Sequence, residues 1–324
     1  MDAETDRRWL AAAARLARRG IAQTRPNPAV AAIIVKNDQV IARGSTQPGG
    51  RPHAEAEALT AFAAAEAEAA GATLFVTLEP CAHVSPRGPS CADLIAASGI
   101  ARVVIGCLDP DPRTAGQGLA RLRQAGITAE LIECSDCAAS LAGYLTRTQH
   151  RRPHVTLKLA LSADARLAPP PGQGQWLTGP EARAHVHAWR ARMDAIVVGR
   201  GTLLADQPQL DVRLPGLEQR SPERWLLTRA PVPTGWRALA SPAAIGAMGD
   251  AQYLMVEGGA QTAAAFLSAG LVDRMLLYRA PHAVGGTGAV LPRLDPAALA
   301  ADPAWRQTDT RPLGNDRLDV YERV

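Results

Sequence analysis

The sequence predicts an α/β protein in two domains, and three observations predict it. The chain has 324 residues, room for about two domains on the usual size scale. Apolar residues make up 47% and charged residues 20% of it, a balance that builds hydrophobic cores and does not mark a disordered chain. Short β-rich runs alternate with helical segments along both halves, the pattern of strands joined by crossover helices.

The elements follow in order. Residues 6 to 19 carry the spacing of an amphipathic first helix. "AVAAIIVKNDQVIARGS" is a hairpin with its turn at Lys36-Asn37-Asp38. The alanine-rich "PHAEAEALTAFAAAEAEAA" is expected to be one long helix stopped by Gly71. "ATLFVTLEP" is a strand, Ser90 to Ser98 a helix ending at Gly99, and "ARVVIGCLDP" a strand. "GQGLARLRQAG" is a helix and "ITAELIE" a strand. A polar, basic segment around "LTRTQHRRPHVTLKLALS" then interrupts the alternation and places the domain boundary near residue 150, giving domains 1–150 and 151–324. The second half starts with a strand over 154–162, a Pro/Gly loop over 169–175 and a helix over 180–192. The strands "DAIVVG", "RWLLTR", "QYLMVEGG" and "RMLLYRAP" follow, with a helix over 260–269. No internal repeat relates the halves.

Composition narrows the function. A net charge of +4, spread as mixed-sign arginine and carboxylate, argues against nucleic acid as the primary partner and leaves anionic small substrates open. No apolar run approaches the roughly 20 residues of a membrane span. The N-terminal "MDAETDRRWLAAAARLARRG" lacks the order of a signal peptide. A soluble, cytoplasmic protein with no membrane partner is expected. Thiols stay reduced in that compartment, so the five cysteines are not a disulfide framework.

The chemistry gathers in two stretches, "RPHAEAEAL" and "TLEPCAHVSPRGPSC". A hydrolytic zinc site wants three His/Cys ligands and a water that the metal acidifies. It also wants a base within reach of that water. His53, Cys81 and Cys91 supply the ligand types, and two of them open helices, whose N-termini carry partial positive charge. Helical geometry alone favours Glu57 as base, because residues four apart share a face. Pro52, however, puts His53 in the entry turn, where that rule relaxes. The residues by themselves leave Glu55 and Glu57 both open. Singly, each ligand reads as a cap histidine or a core thiol.

Together they match His-x-Glu followed by Pro-Cys and a second Cys, the zinc nucleobase-deaminase signature, whose Glu shuttles protons. The usual signature sets its cysteines as C-x-x-C; here nine residues separate them. A Pro-rich insertion at that place marks the riboflavin-pathway deaminases. With "RPNPAVAAIIV", "LEPCAH" and "ARVVIGCLDPDPRTAGQGLARLRQAGI" in the first half, the chain resembles the family of bifunctional riboflavin-pathway deaminase–reductases. In the second half "VTLKLALS", "GQWLTGPEARAHVHAWRARMDAIVVGRGTLLADQPQLDVR", "VEGGAQTAAAFL" and "GLVDRMLLYRAP" carry the same resemblance.

The resemblance implies a cytidine-deaminase-like three-layer α/β/α domain followed by a dihydrofolate-reductase-like α/β domain. It decides for Glu55 as the proton shuttle, with one Zn2+ per chain on His53, Cys81 and Cys91. The first domain would hydrolyse the 2-amino group of 2,5-diamino-6-(5-phosphoribosylamino)pyrimidin-4(3H)-one. Asn27 and His83 match substrate contacts, and Arg87 is a candidate phosphate partner. The second domain would use NADPH to reduce the ribosyl group of 5-amino-6-(5-phosphoribosylamino)uracil to ribityl. Ala160, Trp176, Thr202, Asp206 and the run Gly259, Ala260, Gln261, Thr262, Ala263, Ala264, Ala265 match cofactor contacts. Lys158, Arg190, Gln209, Arg213 and Glu257 match the substrate side, the arginines as partners of its phosphate. A homo-oligomer, dimer or tetramer, is expected.

The chain departs from the family in places. The cysteine loop is one residue longer than the common C-S-H-x-G-[KR]-T-P-P-C, and Thr46 stands where a histidine is usual. "SADA" at Ser162–Ala165 replaces S-L-D-G, "GQGQW" replaces G-E-S-x-W, "DQP" replaces Asp-Asp-Pro, and the 214–250 stretch is short. Other chemistry-bearing residues read as structural. Cys134 and Cys137 form a C-x-x-C with no second half-site. Cys107 is a small core residue, and the side chains of His185 and His187 diverge on a helix. The glycines of "VEGG" and "GGTGAV" allow close backbone approach to a phosphate, or simply tight turns. Two alternatives stand beside the bifunctional enzyme. One is a deaminase whose second half only binds a nucleotide. The other is a nucleic-acid deaminase, which the scarcity of aromatics (4%) speaks against.

Overall fold

The computed structural model describes every residue except 1, 67, 84–87, 168–175, 286–290, 292–293 and 295, and the side chains at 296 and 297. Arg87, the Pro/Gly loop over 169–175 and most of "GGTGAV" therefore lie outside the described residues. The chain divides into two compact units, Met1–Arg151 and Arg152–Val324. Among the described residues no helix is long and apolar enough to cross a membrane.

The first unit is built on a five-stranded sheet. Its strands are β1 (Ala31–Lys36), β2 (Gln39–Ser45), β3 (Thr73–Val76), β4 (Arg102–Ile105) and β5 (Thr128–Leu131), in the order β2-β1-β3-β4-β5. β1 runs antiparallel to β2 and β3, while β3, β4 and β5 are parallel. Asn37 and Asp38 have φ of 51° and 60°, the left-handed pair that a two-residue hairpin turn requires and that these residue types tolerate best.

Side-chain alternation sorts the two faces. Ile33, Val35, Phe75 and Val104 point to α1 (Ala3–Ala17), which contributes Leu10, Ala13 and Ala14. Ile34, Leu74, Val76, Val103 and Ile105 point the other way, to α2 (Ala54–Ala64), α3 (Cys91–Ala96) and α4 (Gln117–Gln124). This is the expected three-layer arrangement. Two short helices, α5 (Ser135–Ser140) and α6 (Ala142–His150), close the unit. The sequence pattern gives no sign of α5 and shows only the end of α6, as part of a polar, basic segment, because their buried residues include small ones such as Cys137, Ser140 and Gly143.

The long alanine-rich helix is a correction. α2 ends at Ala64, not at Gly71. Its buried stripe of Ala54, Glu55, Ala58 and Phe62 stops at Phe62, and of the described residues from 63 to 71 only Ala69 packs on the core. Glu66, at φ 50°, turns the chain away. Helix propensity without a face to bury does not hold a helix.

The second unit carries an eight-stranded sheet. In chain order come β6 (His154–Leu161), α7 (Pro180–Arg190), β7 (Ala195–Gly199), α8 (Arg200–Asp206), β8 (Glu223–Leu227) and β9 (Arg237–Leu239). β10 (Tyr253–Val256), α9 (Ala260–Ser268), β11 (Arg274–Arg279), α10 (Pro296–Ala301), β12 (Trp305–Leu313) and β13 (Asp316–Arg323) follow. The sheet order is β12-β13-β11-β6-β10-β7-β8-β9. From β11 to β9 all pairs are parallel, and the β12–β13 hairpin adds antiparallel at one edge. The sequence reading omitted that hairpin, α8 and β9. Most of β12 is exposed, so it lacks the half-apolar alternation that announces a strand. In a parallel sheet of this kind ligands bind beyond the carboxyl ends of the strands, here the ends of β6, β7, β10 and β11.

Two close backbone approaches fix the first unit around its functional edge. A Cβ at Gly44 on β2 would lie 2.3 Å from the Ala54 carbonyl oxygen and the Ala58 nitrogen of α2. A Cβ at Gly118 on α4 would lie 2.0 Å from the Pro80 carbonyl oxygen. Gly44→Ala and Gly118→Ala should therefore each destabilise the first unit by about 1–3 kcal/mol, the cost of overpacking. Denaturant unfolding of the full chain would show this as an earlier first transition. Unchanged midpoints would mean that the two contacts are not tight.

Candidate active sites

In the first unit three segments deliver one side chain each to a single point. His53 is the N-cap residue of α2, Cys91 opens α3 behind the Ser90 cap, and Cys81 follows β3 through Glu79 and Pro80. His53 Nδ1 lies 3.7 Å from Cys81 Sγ and 3.3 Å from Cys91 Sγ. The Cys91 N–H donates to Cys81 Sγ at 3.4 Å, and the Ala92 N–H donates to the Cys81 carbonyl at 3.1 Å. The first N–H groups of α3 thus hold both the backbone and the sulfur of Cys81, as a helix N-terminus holds an anion.

The Cys81 thiol is pushed down to about 4, first by its hydrogen bond with Cys91 and then by His53. The Cys91 thiol is pushed up, because only one of two adjacent thiols gives up its proton easily. One imidazole nitrogen and two sulfurs, all within 4.8 Å of one another, are a donor set that zinc selects, with a fourth position left for water. The residues fit the ion.

Glu55 is the second residue of α2, only 4% exposed, and its carboxyl meets the Cys91 thiol. Burial, aided by Cys81, raises its pKa to about 7; a bound dication would draw it down again. Glu57 is half-buried, with its Cβ against the backbone of β2 at Gly44. Asn27 bridges the entry turn. Its Nδ2 donates to the Gly50 carbonyl at 2.7 Å and lies 3.4 Å from His53 Nε2. His83 is half-buried near the Asp111 carboxylate, and its Nδ1 is buried with no partner among the described residues. Thr46 faces inward, where its Oγ1 accepts from the Val30 N–H at 3.1 Å. It is a structural residue here.

Sequence reasoning assigned no role to Glu79. It is 2% exposed, and its carboxylate accepts from the N–H groups of Asp109 (3.3 Å), Gly116 (3.0 Å) and Leu119 (3.1 Å). It ties the start of α4 to the segment that carries Cys81. The signal was present in the sequence: an acidic residue ends a fully apolar strand, and a buried carboxylate needs donors. The C-x-x-C pair is structural. Cys137 is buried against Gly106 and Leu10, and the Cys134 N–H donates to the Gly106 carbonyl at 3.0 Å. Cys107 packs partly buried on the core just past β4, not inside the strand.

The second unit gathers a charged cluster at the carboxyl edge of its parallel strands. Arg190 on α7 forms a two-pronged pair with Glu257 just past β10, at 2.7 and 3.0 Å, and also donates to the Asp211 carbonyl at 3.0 Å. Lys158 on β6 approaches the same carboxylate at 4.0 Å, with its ammonium 6.0 Å from the centre of the Tyr278 ring. Burial lowers the Lys158 pKa, and Glu257 partly offsets this. Burial also works to raise Glu257, but Arg190 and Lys158 outweigh it and hold the carboxyl below its ordinary value.

Arg190 is thus no surface charge, and each of its three nitrogens already makes a hydrogen bond. Arg213 is different: its side chain is 63% exposed, with a loose 3.4 Å contact to Asp211. Gln209 and Asp206 are exposed. Trp176 is 60% exposed, with Arg183 stacked on its ring. Ala160 shares the open face of β6 with Lys158.

Thr202 and the run from Gly259 to Ala265 meet where β7 and β10 end. The Gly259 N–H donates to Thr202 Oγ1 at 3.2 Å. Ala260, Gln261, Thr262, Ala263, Ala264 and Ala265 form the first turns of α9. Thr262 and Ala263 are buried, and a Cβ at Gly199 would meet Thr262 Oγ1 at 2.3 Å. These two side chains therefore seat the helix and are not open to a ligand. His185 donates or accepts at Tyr278 Oη (2.9 Å) and His187 at the Asp211 carbonyl (3.0 Å), so the two histidines diverge.

Both halves of the chain match known families. Residues 3–107 match the family model for the cytidine and deoxycytidylate deaminase zinc-binding region, and residues 153–237 with 243–318 match the RibD C-terminal domain. Riboflavin biosynthesis protein RibD of Escherichia coli (strain K12) is 35% identical, covering 96% of this chain and 97% of that protein. The chain belongs to the RibD family. The Aquifex aeolicus RibD is 32% identical over 99% of each chain. Among solved structures, Acinetobacter baumannii RibD (form 1) superposes with a TM-score of 0.85 at 33% identity, covering 100% of both chains. Membership makes this chain a bifunctional deaminase and reductase of riboflavin biosynthesis, with a zinc-binding deaminase region first and the RibD reductase domain second.

His53→Ala, Cys81→Ala and Cys91→Ala should each leave the purified chain with far less bound zinc than the unaltered protein. Elemental analysis reads this directly. Undiminished zinc in all three variants would place the metal elsewhere.

Proposed function

We propose that the first unit hydrolyses the 2-amino group of 2,5-diamino-6-(5-phosphoribosylamino)pyrimidin-4(3H)-one. The second unit then reduces the ribosyl group of 5-amino-6-(5-phosphoribosylamino)uracil to ribityl with NADPH. The observation that carries the first half is the meeting of His53, Cys81 and Cys91 beside a buried Glu55. His53 Nδ1 and the two sulfurs would hold the zinc. When bound, that ion supplies a Lewis acid and an acidified water.

Glu55 does the proton work. Its carboxylate takes one proton from the water and delivers it to the ring nitrogen as the oxygen bonds to C2, then carries the second proton from the new C2 hydroxyl to the amine, which leaves as ammonia as C2=O forms. Asn27 fixes the approach to His53, and His83, with its unpartnered Nδ1, offers a hydrogen bond to the pyrimidine. Arg87 remains the candidate for the phosphate of this substrate.

In the second unit the cofactor supplies hydride to C1′ of the sugar. Ala160, Trp176, Thr202, Asp206 and the backbone of the Gly259–Ala265 segment line its place. Lys158, Glu257 and Gln209 face the substrate. Arg213, exposed and loosely held, is the arginine free to take the phosphate. Arg190 instead orients Glu257, a change from the sequence expectation that both arginines bind phosphate. A cytoplasmic setting, supported by the free state of all five cysteines, and a homo-oligomeric assembly, dimer or tetramer, complete the reading.

Glu55→Gln should keep its zinc and lose ammonia release from the diaminopyrimidine by about a hundredfold or more. Glu57→Gln should stay within a few-fold of the unaltered chain. The reverse pattern, with Glu57→Gln inactive and Glu55→Gln active, would overturn the assignment of the base.

A further inference from the structure

The turn after β6 contains an arrangement that none of the roles above uses. Ser162, Ala163, Asp164 and Ala165 fold back on themselves: the Ala165 N–H donates to the Ser162 carbonyl at 2.9 Å, the Ser162 N–H donates to the Arg166 carbonyl at 2.9 Å, and the Arg166 N–H donates to Ser162 Oγ at 2.9 Å. Ala165 sits at φ 58°, a left-handed conformation that a residue with a Cβ adopts only when its surroundings enforce it.

The neighbouring Asp164 binds this turn to a distant segment. Its Oδ1 accepts from Ser162 Oγ at 2.6 Å and from the Val284 N–H at 3.0 Å, and its Oδ2 accepts from the Gly285 N–H at 3.0 Å. Two successive N–H groups cradling a carboxylate form an anion nest, with Gly285 at φ 65° giving the needed curl. The Ala163 N–H adds a bond to the His282 carbonyl at 2.9 Å. These donors hold the Asp164 carboxyl down to about 2, Ser162 first among them, so it is ionised wherever the protein works.

Position gives the clamp its meaning. β6 and β11 are neighbours in register, with Leu161 opposite Arg279. The turn at 162–166 and the segment 280–285 therefore leave the sheet at the same carboxyl edge as Glu257, Gly259 and Thr202. There the Thr202–Gly259 bond ties the ends of β7 and β10. The Asp164 nest ties the ends of β6 and β11.

We propose that Asp164 is a positioning residue of the reductase half, which fastens the segment after β11 to the turn after β6 and so presets the edge on which the dinucleotide cofactor binds. This rests on the reading of the second unit as an NADPH-dependent reductase. A pre-shaped edge spares the cofactor the cost of ordering it, so losing the clamp weakens cofactor binding without touching the charged cluster that faces the substrate. Asp164 has a side chain 30% exposed, and its replacement leaves no cavity in the core.

The test uses the full chain with Asp164→Ala and Asp164→Asn. Three readouts are backbone amide exchange over 282–285, NADPH affinity by fluorescence titration, and ammonia release by the first unit. In Asp164→Ala, exchange should speed at least tenfold and NADPH affinity should fall at least fivefold, with ammonia release unchanged. Asp164→Asn, which keeps one acceptor oxygen, should fall between. Faster exchange with undiminished NADPH affinity would reduce Asp164 to a structural residue and overturn the proposal. Unchanged exchange would deny the clamp itself. If the unaltered chain bound no NADPH, the reductase reading would fail, and this inference with it, whatever the exchange showed.

Discussion

The first unit depends on one constraint: the end of β3 must be held, backbone and side chain together, between two helix starts. Cys81 has its sulfur and carbonyl bound by the first N–H groups of α3. The preceding carboxylate, Glu79, caps the start of α4. α2 presses on β2 so closely that only glycine fits at position 44. A strand end, two caps and two bare glycines thus bring an imidazole and two thiols together. Nothing in the rest of the α/β/α unit requires that geometry, but it supplies the rigid sheet on which the three segments are mounted. Sites built on element ends in this way are more exact than sites on free loops.

The second unit solves a different problem, holding charge inside a protein. Glu257 is deeply placed, and an unpaired carboxylate there would cost several kcal/mol. Arg190 meets it with two hydrogen bonds and spends a third on the Asp211 carbonyl. The cluster is satisfied internally except toward Lys158, whose ammonium lies at 4.0 Å and is itself short of solvent. That leaves a polarised, partly desolvated pair at the carboxyl edge of the sheet, which in the proposed reaction would offer the sugar both a donor and an acceptor. Preorganisation of this kind is how a protein assists chemistry that a cofactor performs.

Much of this was legible in the sequence, and the gaps have physical causes. The strands of the first unit and their order of appearance follow from apolar runs bounded by turn residues. The ligand triad follows from motif chemistry. The base does not follow from helical spacing, since i,i+4 geometry points to Glu57. In the structure Glu55 is buried beside Cys91 because His53 caps the helix and does not lie within it. The stretch after Ala64 looks helical by propensity, but among its described residues up to Gly71 only Ala69 reaches the core, too little to hold a helix. β12 is a strand by pairing with β13 alone, with most of its side chains in water. Arg190 and Arg213 look alike in sequence, and only the fold shows that one is committed to Glu257 while the other is open. Glu79 is marked in the sequence as an acidic residue after an apolar strand, but its N–H donors, like those of Asp164, come from distant segments that no local pattern identifies.

The most direct test of the account is the coordination shell of the zinc in the full chain, read by X-ray absorption at the zinc edge. The account predicts one imidazole nitrogen, two sulfurs near 2.3 Å and one further light atom. A shell of three or four sulfurs would contradict it, since only Cys81 and Cys91 among the five cysteines lie in the His53 cluster.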